Sequence, residues 1–363
     1  MLGFLQKWYK KYFIDEEAAI FIVLLAAASL MLFWLGGVLA PFLTALIFAY
    51  MLQGIVSALT ARGVSAFWSV TLAFGLFMGL LLATLLIVLP LVWQQGVNLL
   101  QEVPGMINQI KTMVQTLPER YPNLISQDQI ALWINDATIG ANHVGQRLLA
   151  GSVAQIPTLV GVLIYLVLVP ILIFFLLKDR QKLVDTLLSY LPKKRTFLAA
   201  VWHETDRQMG NYIRGKGIEI AIVAVVAYVT FALLGLNYAA LLAIVVGFSV
   251  LIPYIGAAVA TLPVALVAFF QFGLGDQFAY VLIAYAVLQA LDGNVLVPIL
   301  FSEAVSLHPV SIILAVLIFG GLWGFWGVFF AIPLATFFKA IVTAWPIGLE
   351  EVTHEGELSG GIA

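Results

Sequence analysis

Five long stretches of this chain hold no Asp, Glu, Lys or Arg: residues 18–61, 63–101, 148–177, 220–275 and 304–338. A bilayer core is crossed by roughly 20 apolar residues in a helix. The first, second and fourth stretches are each long enough for two crossings, which leaves room for about eight to ten apolar segments. Charged residues make up 10% of the 363 residues, against about 25% in soluble domains. Water could not dissolve a fold covered by such a surface. The expectation is an all-α polytopic membrane protein.

Net charge is −2, which gives no electrostatic case for a nucleic-acid partner. Cysteine is absent, so disulfides, thiol catalysis and cysteine-ligated metal are excluded. Lys7, Lys10 and Lys11 precede an apolar run in the manner of a signal peptide, but the run outlasts a signal h-region and reads as a retained first helix.

The expected spans are 18–36, 41–60, 67–92, 157–177 and 217–235, followed by a less regular apolar region over 238–346. The corresponding division is 1–93 (N-terminal spans), 94–152 (a small helical extracytoplasmic subdomain), 153–177 (a span), 178–216 (a basic helical segment), 217–346 (a C-terminal membrane core) and 347–363 (a tail). In 94–152, Leu99, Val103, Met106, Ile110 and Met113 recur at helical spacing, with Pro104, Pro118 and Pro122 as punctuation. Residues 178–216 hold nine of the 17 Lys and Arg residues against four acids, which places them in the cytoplasm by the positive-inside rule. Counting spans backward puts Lys7, Lys10, Lys11 and Arg62 on the same side, with 94–152 outside and both termini cytoplasmic.

Two stretches of the C-terminal half read as interrupted hairpins. Leu236 to Phe272 is broken at Pro253-Tyr254-Ile255-Gly256 and again at Pro263; Leu307 to Trp345 is broken at Gly320, Gly321, Gly324 and Gly327 and again at Pro333. Laying the first on the second so that Leu236 meets Leu307 also brings Gly256 onto Gly327 and Ala260 onto Ala331. The span count makes the two enter the membrane from opposite faces. Broken helices in matching positions of inverted halves point to a transporter site, because unwound backbone offers free N–H and C=O groups at membrane depth. The alternative is a pair of kinked ordinary spans.

Few polar residues lie inside apolar runs. Asp292, in Gln289-Ala290-Leu291-Asp292-Gly293-Asn294, is the most expensive of them, at a few kcal/mol near the bilayer centre. It reads either as a carboxylate that couples an ion or proton, with Gln289 and Asn294 as neutral neighbours, or as an interfacial residue in water. Glu219 is close enough in sequence to Arg214 and Lys216 to pair with them at a helix entrance, and is a possible coupling residue as well. Glu303 and His308 flank the second hairpin as further coupling candidates, His308 because imidazole titrates near neutral pH.

Enzymatic readings fare worse. Gly273-Leu274-Gly275-Asp276 matches the GxGD pattern of intramembrane aspartyl proteases, but its only candidate partner, Asp292, falls on the next span. His203-Glu204 has no second His at zinc-protease spacing, and no GxxxxGK[ST] phosphate loop occurs. No cofactor is implied.

Several motifs together resemble one family: Trp93-Gln94-Gln95, Phe174 to Asp179 (FFLLKD), Asn211 to Lys216 (NYIRGK), Leu251 to Gly256 (LIPYIG), Gln289 to Asn294 (QALDGN), Leu307-His308-Pro309 and Gly324 to Pro333 (GFWGVFFAIP). The sequence is similar in these to the autoinducer-2 exporter family of bacterial membrane proteins, departing at Ala257, where many members carry Pro. The resemblance implies a cell-membrane protein of about eight spans with a large extracytoplasmic segment after the third, and homo-oligomers. Family members are associated with export of autoinducer-2 or with sodium/proton exchange, and an elevator-like motion of the hairpins is implied as well.

The reading from sequence is a secondary transporter of a small polar solute or ion in the bacterial inner membrane. Its expected site lies where Pro253, Tyr254 and Gly256, then Gln289, Asp292 and Asn294, then Gly324 and Gly327 converge. The alternative is an oligomeric membrane scaffold that moves nothing.

Overall fold

The computed structural model describes residues 16–115, 156–191, 196–253, 255–301 and 307–344. Every regular element among them is helical: α1 (Glu16–Ala61), α2 (Ala66–Ala83), α3 (Leu89–Gln115), α4 (Ile156–Lys178), α5 (Arg180–Ser189), α6 (Thr196–Leu233), α7 (Ala239–Ser249), α8 (Ile255–Phe272), α9 (Asp276–Leu291), α10 (Val297–Phe301), α11 (Pro309–Phe329) and α12 (Ala331–Ala344). One-turn π-helices at Thr84–Val88 and Asp292–Leu296 join α2 to α3 and α9 to α10. Among the described residues, seven helices are long and apolar enough to cross a membrane, and no more than 28% of any spanning window is buried. Their apolar side chains therefore face outward, as they must in a solvent of lipid tails.

The break expected between spans 18–36 and 41–60 does not exist. Residues 37–40 are helical and α1 runs for 46 residues through Pro41. The intervening Gly-Val-Leu-Ala offers no polar turn chemistry, and proline is tolerated inside membrane helices. Likewise, the third span continues without a stop into the polar segment. The helix over Ala66–Thr112 is 47 residues long, about 70 Å at 1.5 Å per residue, and Pro104 lies inside it rather than ending it. Leu99, Val103 and Met106 are half-buried along one side of α3, as their spacing requires. The rest of the expected 94–152 subdomain, from residue 116, and the 347–363 tail lie outside the described residues.

The chain divides into two compact units, and α1 and α6 contribute to both. The larger comprises residues 41–180 and 211–304. One of its cores joins Ala45, Ala49, Leu52 and Val56 of α1 to Val70, Ala73 and Phe77 of α2 and Val169, Ile173 and Leu177 of α4. Its other core is built around a helical hairpin, α7 and α8. Val246, Val264 and Ala268 of the hairpin are fully buried against Val223, Ala227 and Phe231 of α6 and Val281, Tyr285 and Leu288 of α9. At 11 residues, α7 rises about 16 Å, roughly half a hydrocarbon thickness. The chain turns back after α7, at the expected break around Pro253.

The smaller unit comprises residues 1–40, 181–210 and 305–363. Phe197, Leu198 and Val201 of α6 pack there with Ile341 and Phe337 of α12 and Phe21 and Leu25 of α1. The Glu17 carboxylate accepts the Phe197 backbone N–H at 2.9 Å, placing an acid at the α6 N-terminus, where the helix dipole and unpaired N–H groups favour one. The second hairpin, α11 and α12, belongs to this unit. Its first helix is interrupted at Gly324 (φ 58°, ψ −133°), a left-handed conformation open to glycine and costly for any side chain.

Candidate functional site

Breaking a helix leaves carbonyls without donors at its C-terminal end. At the end of α7 this want is met from another helix: the Lys216 ammonium of α6 donates to the Val250 carbonyl at 2.8 Å. A cation at that end also complements the negative pole of the α7 dipole. Lys216 is 5% exposed and Glu219, one turn further on, is 1% exposed. Their charged groups stand 2.7 Å apart. The pair therefore lies in the body of α6, well past its start at Thr196, and not at a helix entrance as the sequence suggested. Arg214 takes no part; it donates to Asn211 Oδ1 at 2.9 Å.

Small residues beside Lys216 let apolar groups close over it. A Cβ on Gly215 would stand 2.6 Å from the Phe301 ring. With no such atom there, the ring comes within 5.4 Å of Lys216 Nζ and 5.9 Å of the Tyr212 ring. The cation thus faces an aromatic face, a Glu carboxylate and a backbone carbonyl.

Asp292 interacts electrostatically with this pair. It opens the π-helix between α9 and α10, in which the Val297 N–H donates to the Asp292 carbonyl five residues back. Such bulges recur at functional sites, because they break the α-helical hydrogen-bond ladder locally. Asp292 lies within coulombic reach of both Lys216 and Glu219. Its Oδ1 is buried and receives no hydrogen bond among the described residues, whereas Glu219 Oε2 is the oxygen that faces the Lys216 ammonium.

The two sequence motifs of this unit are tied by a residue that the sequence reading passed over. Gln289 Nε2 donates to the Tyr285 hydroxyl at 2.6 Å, and the hydroxyl donates to the Ala257 carbonyl at 2.9 Å. Gln289 is thereby linked to the first turn after Pro253–Gly256. Within the turn, the Pro253 carbonyl accepts from Ile255 N at 2.7 Å and Gly256 N donates to Ile252 O at 2.8 Å. Asn294 does not reach the cluster; its amide turns back onto the Ala290 carbonyl at 2.8 Å. His308 serves as N-cap of α11, its Nδ1 accepting from Val310 N at 3.3 Å. Gly324 and Gly327 belong to the smaller unit, and Tyr254 and Glu303 lie outside the described residues.

Tyr285 is the polar residue missed from sequence, and Lys216 was read there only as a pairing partner of Glu219. Lys216 carried a usable signal, a Lys-x-x-Glu pair at i,i+3 on the edge of the uncharged stretch 220–275. Tyr285 carried a weaker one, its i,i+4 relation to Gln289.

The profile of the AI-2E family of transporters matches residues 19–347. The chain is 47% identical to the "Putative permease PerM" of Escherichia coli (strain K12) over 348 residues, 96% of this chain and 99% of that protein. It is 24% identical to the "Putative transport protein YueF" of Bacillus subtilis (strain 168), covering 82% of this chain and 84% of YueF. It is 25% identical to YrrI of the same organism, likewise named a transport protein, over 85% of this chain and 88% of YrrI. A profile matched from end to end of the membrane helices and a relative this similar lead to one conclusion: the chain belongs to the AI-2E family of transporters.

Proposed function

We propose that this protein is a secondary transporter that moves a small polar solute or ion across the bacterial inner membrane, coupled to an ion through Lys216, Glu219 and Asp292. The observation that carries the reading is a lysine and a carboxylate buried together at the broken end of a helix, beside a second carboxylate in a π-helical turn. Burying charge in a low-dielectric core costs several kcal/mol per ion before pairing, and intramembrane ionisable residues mark ion and substrate pathways. Discontinuous helices supply free backbone at the same depth. Motion of the α7–α8 hairpin, elevator-like, would expose the cluster to one side and then the other. The basic stretch 178–216 faces the cytoplasm in this reading.

Flux into proteoliposomes under imposed sodium and proton gradients tests it, with a panel of small polar metabolites and radioactive sodium as probes. Wild-type protein is expected to give gradient-dependent flux of at least one probe, and Asp292→Asn to reduce it tenfold or more while remaining folded. Absence of flux for every probe, with folded and oriented protein, would favour an oligomeric scaffold instead.

A further inference from the structure

The chain leaves the spanning helix α4 at Lys178 and enters α5 two residues later, at Arg180. The apolar side of α5 is wider than the protein covers. Val184 and Leu188 are half-buried, and Leu191, just past the helix, packs against the core of the smaller unit alongside Phe21 and Leu25 of α1. Beside that line runs a second one, Leu183, Leu187 and Tyr190, which are 44%, 63% and 83% exposed. Its members follow at i, i+4 and i+7 and so share one side of the helix. The exposed Arg180 heads the same side, three residues before Leu183. On the other side, Gln181 Nε2 donates to Asp185 Oδ1 at 3.0 Å.

Both ends of α5 are held at the membrane boundary. At its start, the Lys178 ammonium folds back over the Phe174 ring at 5.8 Å, as a cation does where its stem lies in hydrocarbon and its head among headgroups. At its end, Leu191 shares a core with Phe21 and Leu25, which stand near the start of the uncharged stretch that opens at Ala18. Standing off into water, the helix would leave three large apolar side chains wet; lying along the surface, it buries them. The sequence supplies the charge: residues 178–195 hold six Lys and Arg residues against two acids, a pattern that attracts anionic headgroups next to a spanning helix. We infer that α5 is an interfacial helix seated in anionic phospholipid of the cytoplasmic leaflet. Leu183 and Leu187 lie among the upper acyl chains, Tyr190 lies at headgroup level, and Lys178, Arg180 and Lys182 donate to headgroup phosphates. The leaflet, and only the leaflet, rests on the cytoplasmic placement proposed above.

The chain has no cysteine, so one introduced cysteine carries one fluorescent label. Full-length Leu187→Cys and Gln181→Cys proteins, labelled with bimane, are placed in nanodiscs holding a fixed share of nitroxide-bearing phosphatidylglycerol or of nitroxide-bearing phosphatidylcholine. Iodide serves as the aqueous quencher. Both positions are exposed, so neither substitution is expected to disturb folding. The label at 187 is expected to be quenched by both lipids, several-fold more strongly by phosphatidylglycerol, and little by iodide; the label at 181 is expected to respond to iodide instead. Adding Lys178→Gln, Arg180→Gln and Lys182→Gln to Leu187→Cys is expected to remove the preference for phosphatidylglycerol while leaving the label in lipid. Quenching of 187 by iodide alone would overturn the inference, since α5 would then stand in water. Quenching by neither lipid nor iodide would overturn it in favour of a protein cover, a second copy or another part of the chain. Equal quenching by the two lipids would show that charge does not select the occupant, and would overturn it as well. The readout needs neither flux nor sidedness. A protein that transports nothing can still hold the lipid, and one that transports with position 187 in water keeps the transport reading alone.

Discussion

The two hairpins solve one steric problem with different materials. In α7–α8, a Cβ on Gly256 would overlap the Ser249 carbonyl; in the α11–α12 region, a Cβ on Gly327 would overlap the Phe319 carbonyl. These are the glycines that fall together when Leu236 is laid on Leu307, and each lets the chain after a break press on backbone before it. Their partners four places on, Ala260 and Ala331, are 1% and 0% exposed. Beyond that crossing the hairpins part. The first is bound at its break by a charged side chain, Lys216, and is surrounded by the aliphatic core of its unit. The second is dressed in aromatic rings: Phe319 stacks on Trp323 at 5.7 Å and on Phe338 at 6.0 Å, and Trp326 on Phe330 at 6.4 Å. A break tied by charge responds to ions and one tied by rings does not, which is why chemistry is assigned to the first.

The largest effect expected would break the likeness itself. Gly256→Ala and Gly327→Ala each set a methyl against backbone that has no room to yield, so both are expected to cost about 3 kcal/mol or more and to abolish the monodisperse peak on size-exclusion chromatography. A normal peak for one variant alone would show that the crossings are not equivalent. Lys216→Gln comes next and sharpens the contrast, because it strands two acids and an uncapped carbonyl. A loss of about 3–5 kcal/mol is expected from an ion pair broken on one side, seen as a lowered melting temperature, with partial recovery when Glu219→Gln is added. Tyr285→Phe removes the hydroxyl between Gln289 and the first hairpin and should lower stability by about 1 kcal/mol. Smallest of all, Gly321→Ala and Gly293→Ala meet nothing within 4 Å. Both should change stability by no more than about 0.5 kcal/mol, and a larger change at Gly321 would mean that the second hairpin is tighter than its geometry indicates.

What was legible in the sequence was whatever is encoded locally. Pro253 and the glycines around it announce a break, because their backbone preferences act within a few residues. The matched glycines were visible for the same reason. Lys216 was not, since it lies in a basic run that reads as water-exposed, and its burial depends on Val250 and Phe301, both distant along the chain. The unbroken α1 was missed for the opposite reason: glycines and Pro41 are turn signals in water but are tolerated in a helix whose surroundings offer no competing hydrogen bonds.

The long helix over residues 66–112 has a mechanical consequence. Its lower part is seated in a core through Val70, Ala73 and Phe77, and the π-helical turn at Thr84–Val88 interrupts the ladder above that seat. Beyond the turn, Gln95 Oε1 accepts from Leu241 N in the first turn of α7 at 2.9 Å. Tyr238, which caps that helix in a left-handed conformation, shares a hydrogen bond with Glu102. The arrangement is a crank: a fulcrum at the bulge, a short arm pinned to the hairpin, and a long arm of about 40 Å over α3. A tilt of about 5° at the bulge would displace the far end of α3 by roughly 3 Å.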